Sequence, residues 1–171
     1  MTAYVALVRA VNVSGTGKLL KEELQAMGET CGFGDVRTFI NSGNLLFTTD
    51  LDESTVKKKI EDQLQAFFGK PVPAFIRSGT EMAEVTAKNP FKLDKPNRVV
   101  ACFIDEKPTP AMVDEARDVQ DERLALGPRV IYIAYGDGMA NSKLKIPAIG
   151  KGTARNMNSI AKIAGLLAEM A

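Results

Sequence analysis

The residues best suited to chemistry in this 171-residue chain are cationic and lie near its C-terminus. After Gly138, five basic side chains face one acid, Glu169, so this stretch has a net charge of 5 − 1 = +4. The whole chain has a net charge of only +1, so the positive charge is concentrated locally. The five basic residues are Lys143, Lys145, Lys151, Arg155 and Lys162.

An anion is the ligand that this stretch predicts. Arg155 and Asn156 are expected, as exposed residues, near the start of a C-terminal helix, where N–H groups and the helix dipole favour negative charge. A guanidinium adds charge-assisted hydrogen bonds. In the alternative, structural interpretation, Arg155 pairs with a carboxylate and Asn156 satisfies loop backbone. The residues of the predicted anion-binding site are Lys143, Lys145, Lys151, Arg155 and Asn156.

A second candidate is the glycine-containing loop at 12–18, which follows a predicted strand and precedes a predicted helix. It matches neither standard phosphate template. Leu19 replaces the Ser or Thr of a Walker A loop, and Leu20 replaces the last glycine of a dinucleotide fingerprint. A tight turn is therefore favoured, with an anion-binding nest as the alternative. The residues of this secondary candidate are Asn12, Ser14, Gly15 and Lys18.

The composition excludes several kinds of site. The chain has no histidine, which removes imidazole ligands and Ser–His or Cys–His nucleophile pairs. With only two cysteines, neither a metal site nor a cofactor is predicted. Cys31 and Cys102 are expected to be unbridged, unreactive thiols of a reducing compartment. The N-terminus has no signal-peptide pattern, so a cytoplasmic protein without a membrane partner is expected.

Apolar periodicity predicts an α+β fold. Continuous apolar runs at 3–9 and 99–104 are typical of central strands that are covered on both faces. Lysines 57 to 59 are expected on a solvated helix face. In the first half the pattern predicts strands at 3–9, 36–40, 45–49 and 72–77 and helices at 20–31 and 56–67. In the second half it predicts helices at 81–86, 110–119 and 153–170, the last capped by Thr153, and strands at 99–104, 124–126 and 130–135.

The repeated order of elements predicts two tandem ferredoxin-like (split βαβ) subdomains, each a two-layer sheet with helices on one face. They are expected at residues 1–78 and 98–171, joined by a connecting segment at 79–97. No residue motif repeats between the halves.

Three segments carry recognisable motifs: YVALVRAVNV at 4–13, VRTFINSGN at 36–44 and TARN at 153–156. Together they resemble a bacterial family catalogued as domain of unknown function 1697. The resemblance spans essentially the whole chain and implies paired ferredoxin-like subdomains, but no established activity. The sequence departs from the family pattern at Ala10 and Ser14, which replace glycines, and at Met157, which replaces a tryptophan. Ligand stacking on that tryptophan is therefore not implied here.

The leading functional hypothesis is binding, or turnover, of a small anionic compound at the basic loop and helix start. A second hypothesis is single-stranded nucleic-acid binding by stacking on exposed sheet aromatics. Aromatic residues make up only 6% of the chain and tryptophan is absent, which disfavours it. A third is a protein-interaction module without a ligand. The sequence favours neither a monomer nor an oligomer.

Overall fold

A computed structural model describes residues 1–9, 19, 21–39, 43–136, 139, 142–150 and 152–170 of the chain. Lys151 and the secondary candidate residues Asn12, Ser14, Gly15 and Lys18 lie outside the described residues. The chain forms two compact units, Met1–Thr80 with Ile163–Ala171 and Glu81–Lys162. Each contains a four-stranded antiparallel sheet, so the fold class is α+β.

The elements of the first unit are β1 (Thr2–Val8), α1 (Lys21–Thr30), β2 (Gly34–Thr38), β3 (Asn44–Thr49), α2 (Glu53–Phe68) and β4 (Ala74–Ser78). Its sheet has the strand order β2-β3-β1-β4. Strand β1 pairs antiparallel with β3 on one side and with β4 on the other, which confirms the predicted central strand.

Helix α2 begins and ends at residues with clear capping chemistry. The Asp52 carboxylate accepts a hydrogen bond from the Thr55 N–H at 2.8 Å, which satisfies one N–H of the first turn. Gly69 ends the helix in the left-handed region, with φ 73°, and donates its N–H to the Gln65 carbonyl. Between these two caps, one face of the helix is apolar and packs on the sheet. Its buried residues are Val56, Ile60 and Leu64.

Both faces of the first sheet are buried. Ala6 and Ile76 lie in the core that α1 and α2 complete. Successive strand residues point to opposite faces, so Val5, Leu46 and Arg77 lie on the other face, and they are buried as well. This explains why β1 is a continuous apolar run rather than an alternating one.

The remaining elements are α3 (Gly79–Ala87), β5 (Val99–Phe103), α4 (Pro110–Asp114), β6 (Arg123–Gly127), β7 (Val130–Ala134), β8 (Thr153–Asn156) and α5 (Met157–Met170). Short 3-10 turns lie at Pro96–Arg98 and Pro147–Ile149. The second sheet repeats the arrangement of the first with the order β6-β7-β5-β8, and β5 is central, as predicted.

The predicted start of the C-terminal helix is wrong. Thr153–Asn156 forms strand β8, with Arg155 opposite Ala101 and Thr153 opposite Phe103, and α5 begins only at Met157. The physical reason is that β5 is central and needs a hydrogen-bonded neighbour on this side. Thr153 is therefore the first residue of a strand and not a helix cap.

The helix predicted at 110–119 is also shorter than expected and ends at Asp114. Arg117 and Lys145 exchange two backbone hydrogen bonds, at 2.8 and 3.0 Å, in an isolated antiparallel bridge. Asp118 adopts a φ of 56°, which is incompatible with a right-handed helix. A contact with a distant loop thus overrides the local helical pattern.

Helices cover both faces of the second sheet, whereas the sequence predicted helices on one face only. Met112 and Val113 of α4 pack beside Ile131. The next residue, Tyr132, points to the opposite face, where its hydroxyl donates a 2.6 Å hydrogen bond to the Val85 carbonyl of α3. An ion pair of 2.7 Å between Arg129 and Glu81 adds to this contact.

We expect Tyr132→Phe to lower the free energy of unfolding by about 1–3 kcal/mol, because it leaves the buried Val85 carbonyl without this donor. Urea denaturation followed by circular dichroism would measure the change. The control is Tyr135→Phe, which removes the hydroxyl of a half-buried residue and is expected to cost less than about 0.5 kcal/mol. Equal losses in the two variants would contradict the role assigned to the Tyr132 hydroxyl.

Candidate functional site

Arg155 lies in the second sheet rather than on a helix, and it is only 8% exposed. Its Nη1 donates hydrogen bonds to Thr153 Oγ1 at 2.7 Å and to the Ala154 carbonyl at 2.9 Å. Two bonds from one nitrogen orient the guanidinium plane. The side chain is therefore held by its own strand, on the face opposite to Asn156.

Burial lowers the pKa of Arg155 to about 10, because the charged form loses hydration. The guanidinium still carries its charge at neutral pH, since that pKa lies well above 7. An anion placed beside it would compensate for the lost hydration through charge-assisted hydrogen bonds.

Asn156 has a structural role at the start of α5. Its Oδ1 accepts a 2.9 Å hydrogen bond from the Ser159 N–H, so the side chain caps the helix. This cap occupies one of the backbone N–H groups that the sequence analysis assigned to an anion. Asn156 thus matches the structural interpretation, although it satisfies helix backbone and not loop backbone.

The loop before β8 carries the exposed Lys143 and Lys145. The backbone of Lys145 is bonded to Arg117, which fixes one end of the loop. The other end returns to the sheet at Gly152, where a Cβ atom would clash with the Phe103 carbonyl oxygen, so glycine is required. The described residues of the predicted site therefore occupy three environments: an exposed loop, a buried strand and a helix cap.

Sequence reasoning missed a counterpart of Arg155 in the first sheet. Arg77 lies on β4 opposite Val5 and is 1% exposed. Its Nη1 donates a 2.9 Å hydrogen bond to the Ile76 carbonyl, just as Arg155 binds the carbonyl of its own preceding residue. Both arginines lie on the fourth strand of their sheets. Arg77 is the fourth residue of β4 and Arg155 the third residue of β8, and this parallel is visible only once β8 is known to be a strand.

Lys57 also differs from the expected solvated lysine. Its Nζ lies 2.9 Å from Glu61 Oε2 and donates a 2.6 Å hydrogen bond to the Ala74 carbonyl. An open cleft of about 320 Å³ lies beside this contact, between α2 and residues 71–73. Lys57 and Lys58, which line it, are each paired with an acid, Glu61 and Asp62. The cleft therefore offers little net positive charge to an anion.

Cys31 and Cys102 are both free thiols, as predicted, with Cys31 half-buried and Cys102 buried. Within the described part of the chain, no group of three or more Cys, Asp or Glu side chains could hold a metal ion. Over the same residues, no helix has the length and apolar character needed to cross a bilayer.

Residues 1–132 match the model of a family described as a protein of unknown function (DUF1697). The chain belongs to this family. The match confirms the resemblance drawn from the sequence motifs, and it ends before the loop and strand that carry Lys143 and Arg155. No curated protein sequence matches the chain.

The fold is also similar to that of a solved structure, the conserved bacterial protein SP0830 from Streptococcus pneumoniae. The two are 25% identical in sequence, with a TM-score of 0.81, and the alignment covers 98% of this chain and 99% of the other. The similarity therefore includes the C-terminal region beyond the family match.

We expect Asn156→Ala to lower the free energy of unfolding by about 1 kcal/mol, because the Ser159 N–H loses its cap. Equilibrium denaturation in urea would measure the loss. Asn158→Ala, at an exposed position in the same helix, is the control and should change stability by less than about 0.5 kcal/mol. If the two variants had the same free energy of unfolding, the Asn156 cap would not stabilise the protein.

The thiols should react slowly in the native protein. Burial raises the pKa of Cys102 to about 12, and burial also raises the pKa of Cys31, with Lys59 lowering it and Asp62 raising it. The thiolate is the reactive form, so a raised pKa depletes it at pH 8. A bulky disulfide reagent should modify Cys31 slowly and Cys102 only after denaturation, with Cys31→Ala and Cys102→Ala assigning each reaction. Rapid modification of both at pH 8 would contradict this.

Proposed function

We propose that the chain binds a small anionic compound, bearing a phosphate or carboxylate group, and that Arg155 contacts the anion. The observation that supports this is the buried Arg155 guanidinium, oriented by Thr153 and Ala154 at its Nη1 atom. A pre-oriented guanidinium loses little conformational entropy when a bidentate anion binds. Its partial desolvation strengthens the electrostatic attraction.

In this proposal the neighbouring lysines raise the local concentration of anions. Lys143 and Lys145 are exposed and Lys151 directly precedes Gly152, so all three contribute to the positive charge of the C-terminal stretch. Asn156 is a positioning residue, which fixes where β8 ends and α5 begins. The loop containing Asn12, Ser14, Gly15 and Lys18 stays a secondary candidate for the same ligand class.

We further propose that both units are ferredoxin-like. The first has the order βαββαβ and the sheet order 2-3-1-4 that this topology requires. The second has the same sheet order, and α5 follows its fourth strand along the chain. A cytoplasmic location is proposed on the basis of the two unbridged thiols, which suit a reducing compartment.

Nucleic-acid binding on a sheet receives less support. Such binding needs aromatic rings on an exposed sheet face. Tyr4 and Phe47 in the first sheet and Phe103 and Tyr132 in the second are all buried. A base stacking on any of these rings would first have to displace the packing that covers it.

The test is the melting temperature of the protein with phosphate against chloride at matched ionic strength. Phosphate should stabilise the parent protein in proportion to its binding, by mass action. Arg155→Ala should remove this stabilisation. Because Arg155 is buried, and not exposed as its sequence suggested, the variant should also melt at a lower temperature. The increase caused by phosphate is therefore the informative quantity.

Two controls separate loss of a ligand contact from loss of stability. Arg77→Ala removes the equivalent buried guanidinium of the first sheet and should lower the melting temperature while keeping the phosphate effect. Arg117→Ala removes one exposed positive charge and should change little. A parent protein that is indifferent to phosphate and to small carboxylates, or an Arg155→Ala variant that still responds fully, would refute the proposal.

A further inference from the structure

Within the described residues, strand β4 lies at the edge of the first sheet, with β1 as its one strand partner. Edge strands present backbone N–H and C=O groups on which another strand can pair. In the antiparallel register, Ala74 lies opposite Val8 and Ile76 lies opposite Ala6. These alternate residues share one direction, and the hydrogen bonds of Ala74 to α2 show that this direction is the outer side of β4.

Both outward groups of Ala74 are bonded by one ion pair from α2, which we call the Lys57–Glu61 clip. The Ala74 N–H donates to Glu61 Oε2 at 3.0 Å, and Lys57 Nζ donates to the Ala74 carbonyl at 2.6 Å. Lys57 Nζ lies 2.9 Å from Glu61 Oε2. The clip thus provides the donor and the acceptor that an added strand would otherwise supply at this position.

One more contact covers the same edge. The next outward carbonyl, that of Ile76, accepts a 2.9 Å hydrogen bond from Arg77 Nη1. Charged side chains are a usual means by which proteins protect sheet edges.

We propose that the Lys57–Glu61 clip keeps β4 from pairing with β4 of a second copy of this chain. A second copy is the partner considered because identical strands are self-complementary when they pair antiparallel about a two-fold axis. Such a strand must displace both clip side chains from Ala74 before its own backbone can bond there. The clip is therefore a device that limits self-association.

The adjacent pair Lys58–Asp62 provides a matched control. These two residues are also four positions apart on α2, and the distance from Lys58 Nζ to Asp62 Oδ2 is also 2.9 Å. Its side chains are 77% and 62% exposed, whereas those of Lys57 and Glu61 are 30% and 32% exposed. If an ion pair on α2 mattered only for helix stability or surface charge, the two pairs would be equivalent.

The experiment exchanges the charges within each pair. Lys57→Glu/Glu61→Lys keeps the net charge and the i,i+4 pairing, in the orientation that favours a helix. The carboxylate at 57 cannot donate to the Ala74 carbonyl, and the ammonium at 61 cannot accept from the Ala74 N–H. Lys58→Asp/Asp62→Lys makes the same exchange away from β4. Sedimentation velocity over a range of concentrations measures self-association of the full chain.

We expect the clip exchange to raise the self-association constant by at least about tenfold over the parent, the effect of one or two net hydrogen bonds gained. The control exchange should behave as the parent does. The proposal is overturned if the clip exchange associates no more than the parent, or if the control exchange associates equally.

If the clip exchange fails to fold, a second pair of variants tests the proposal. Glu61→Ala removes the acceptor of the Ala74 N–H, and Asp62→Ala is its control. Amide hydrogen exchange at Ala74, followed by nuclear magnetic resonance, should be faster in Glu61→Ala only, together with increased self-association of that variant. Unchanged exchange at Ala74, or faster exchange without increased self-association, overturns the proposal. Because neither pair includes Arg155, this test is independent of anion binding.

Discussion

The central strands must have hydrogen-bonded neighbours on both sides, and the rest of the structure depends on this requirement. Strands β1 and β5 are buried, so each backbone N–H and C=O needs a partner within the protein. In the first unit the outer neighbour is β4, and in the second it is Thr153–Asn156. The position of the C-terminal helix, its Asn156 cap and the burial of Arg155 all follow from that second pairing.

The fourth strand provides hydrogen-bond partners for the central strand, but the backbone groups on its own outer side have no strand partner there. Its outward carbonyls receive no donors from β1 or β5. Arg77 and Arg155 supply them from within the strand, by folding Nη1 back onto the preceding carbonyl. An arginine at this position thus has a structural role in both sheets. The proposed ligand role of Arg155 adds to that role and does not replace it.

The features predicted correctly from the sequence are those whose causes are local. The apolar runs at 3–9 and 99–104 predicted central strands, because a strand covered on both faces needs no polar alternation. Helix α2 was predicted from its caps and apolar stripe. Strand β8 was missed because Thr-Ala-Arg-Asn has no strong strand pattern and adjoins an amphipathic helix. Its strand conformation depends on β5, which is distant in sequence.

The candidate site also combines features with local causes and features that depend on residues distant in sequence. Local charge identified Arg155, but arginine is usually exposed, so its burial could not be read from the sequence. The clip formed by Lys57 and Glu61 was hidden within a run of three lysines that resembled a solvated face. Only the position of β4 relative to α2 distinguishes Lys57 from Lys58.

The contact of Tyr132 with Val85 also makes the chain a natural spectroscopic reporter. The chain has three tyrosines and no tryptophan, so its ultraviolet emission comes from phenol rings alone. Tyr4 belongs to the first unit, whereas Tyr132 and Tyr135 belong to the second. Burial raises the pKa of Tyr132 to about 12, so alkaline difference absorbance separates this ring from an exposed phenol. Replacing Tyr4 by phenylalanine leaves emission from the second unit only, which allows its unfolding to be followed without an added fluorophore.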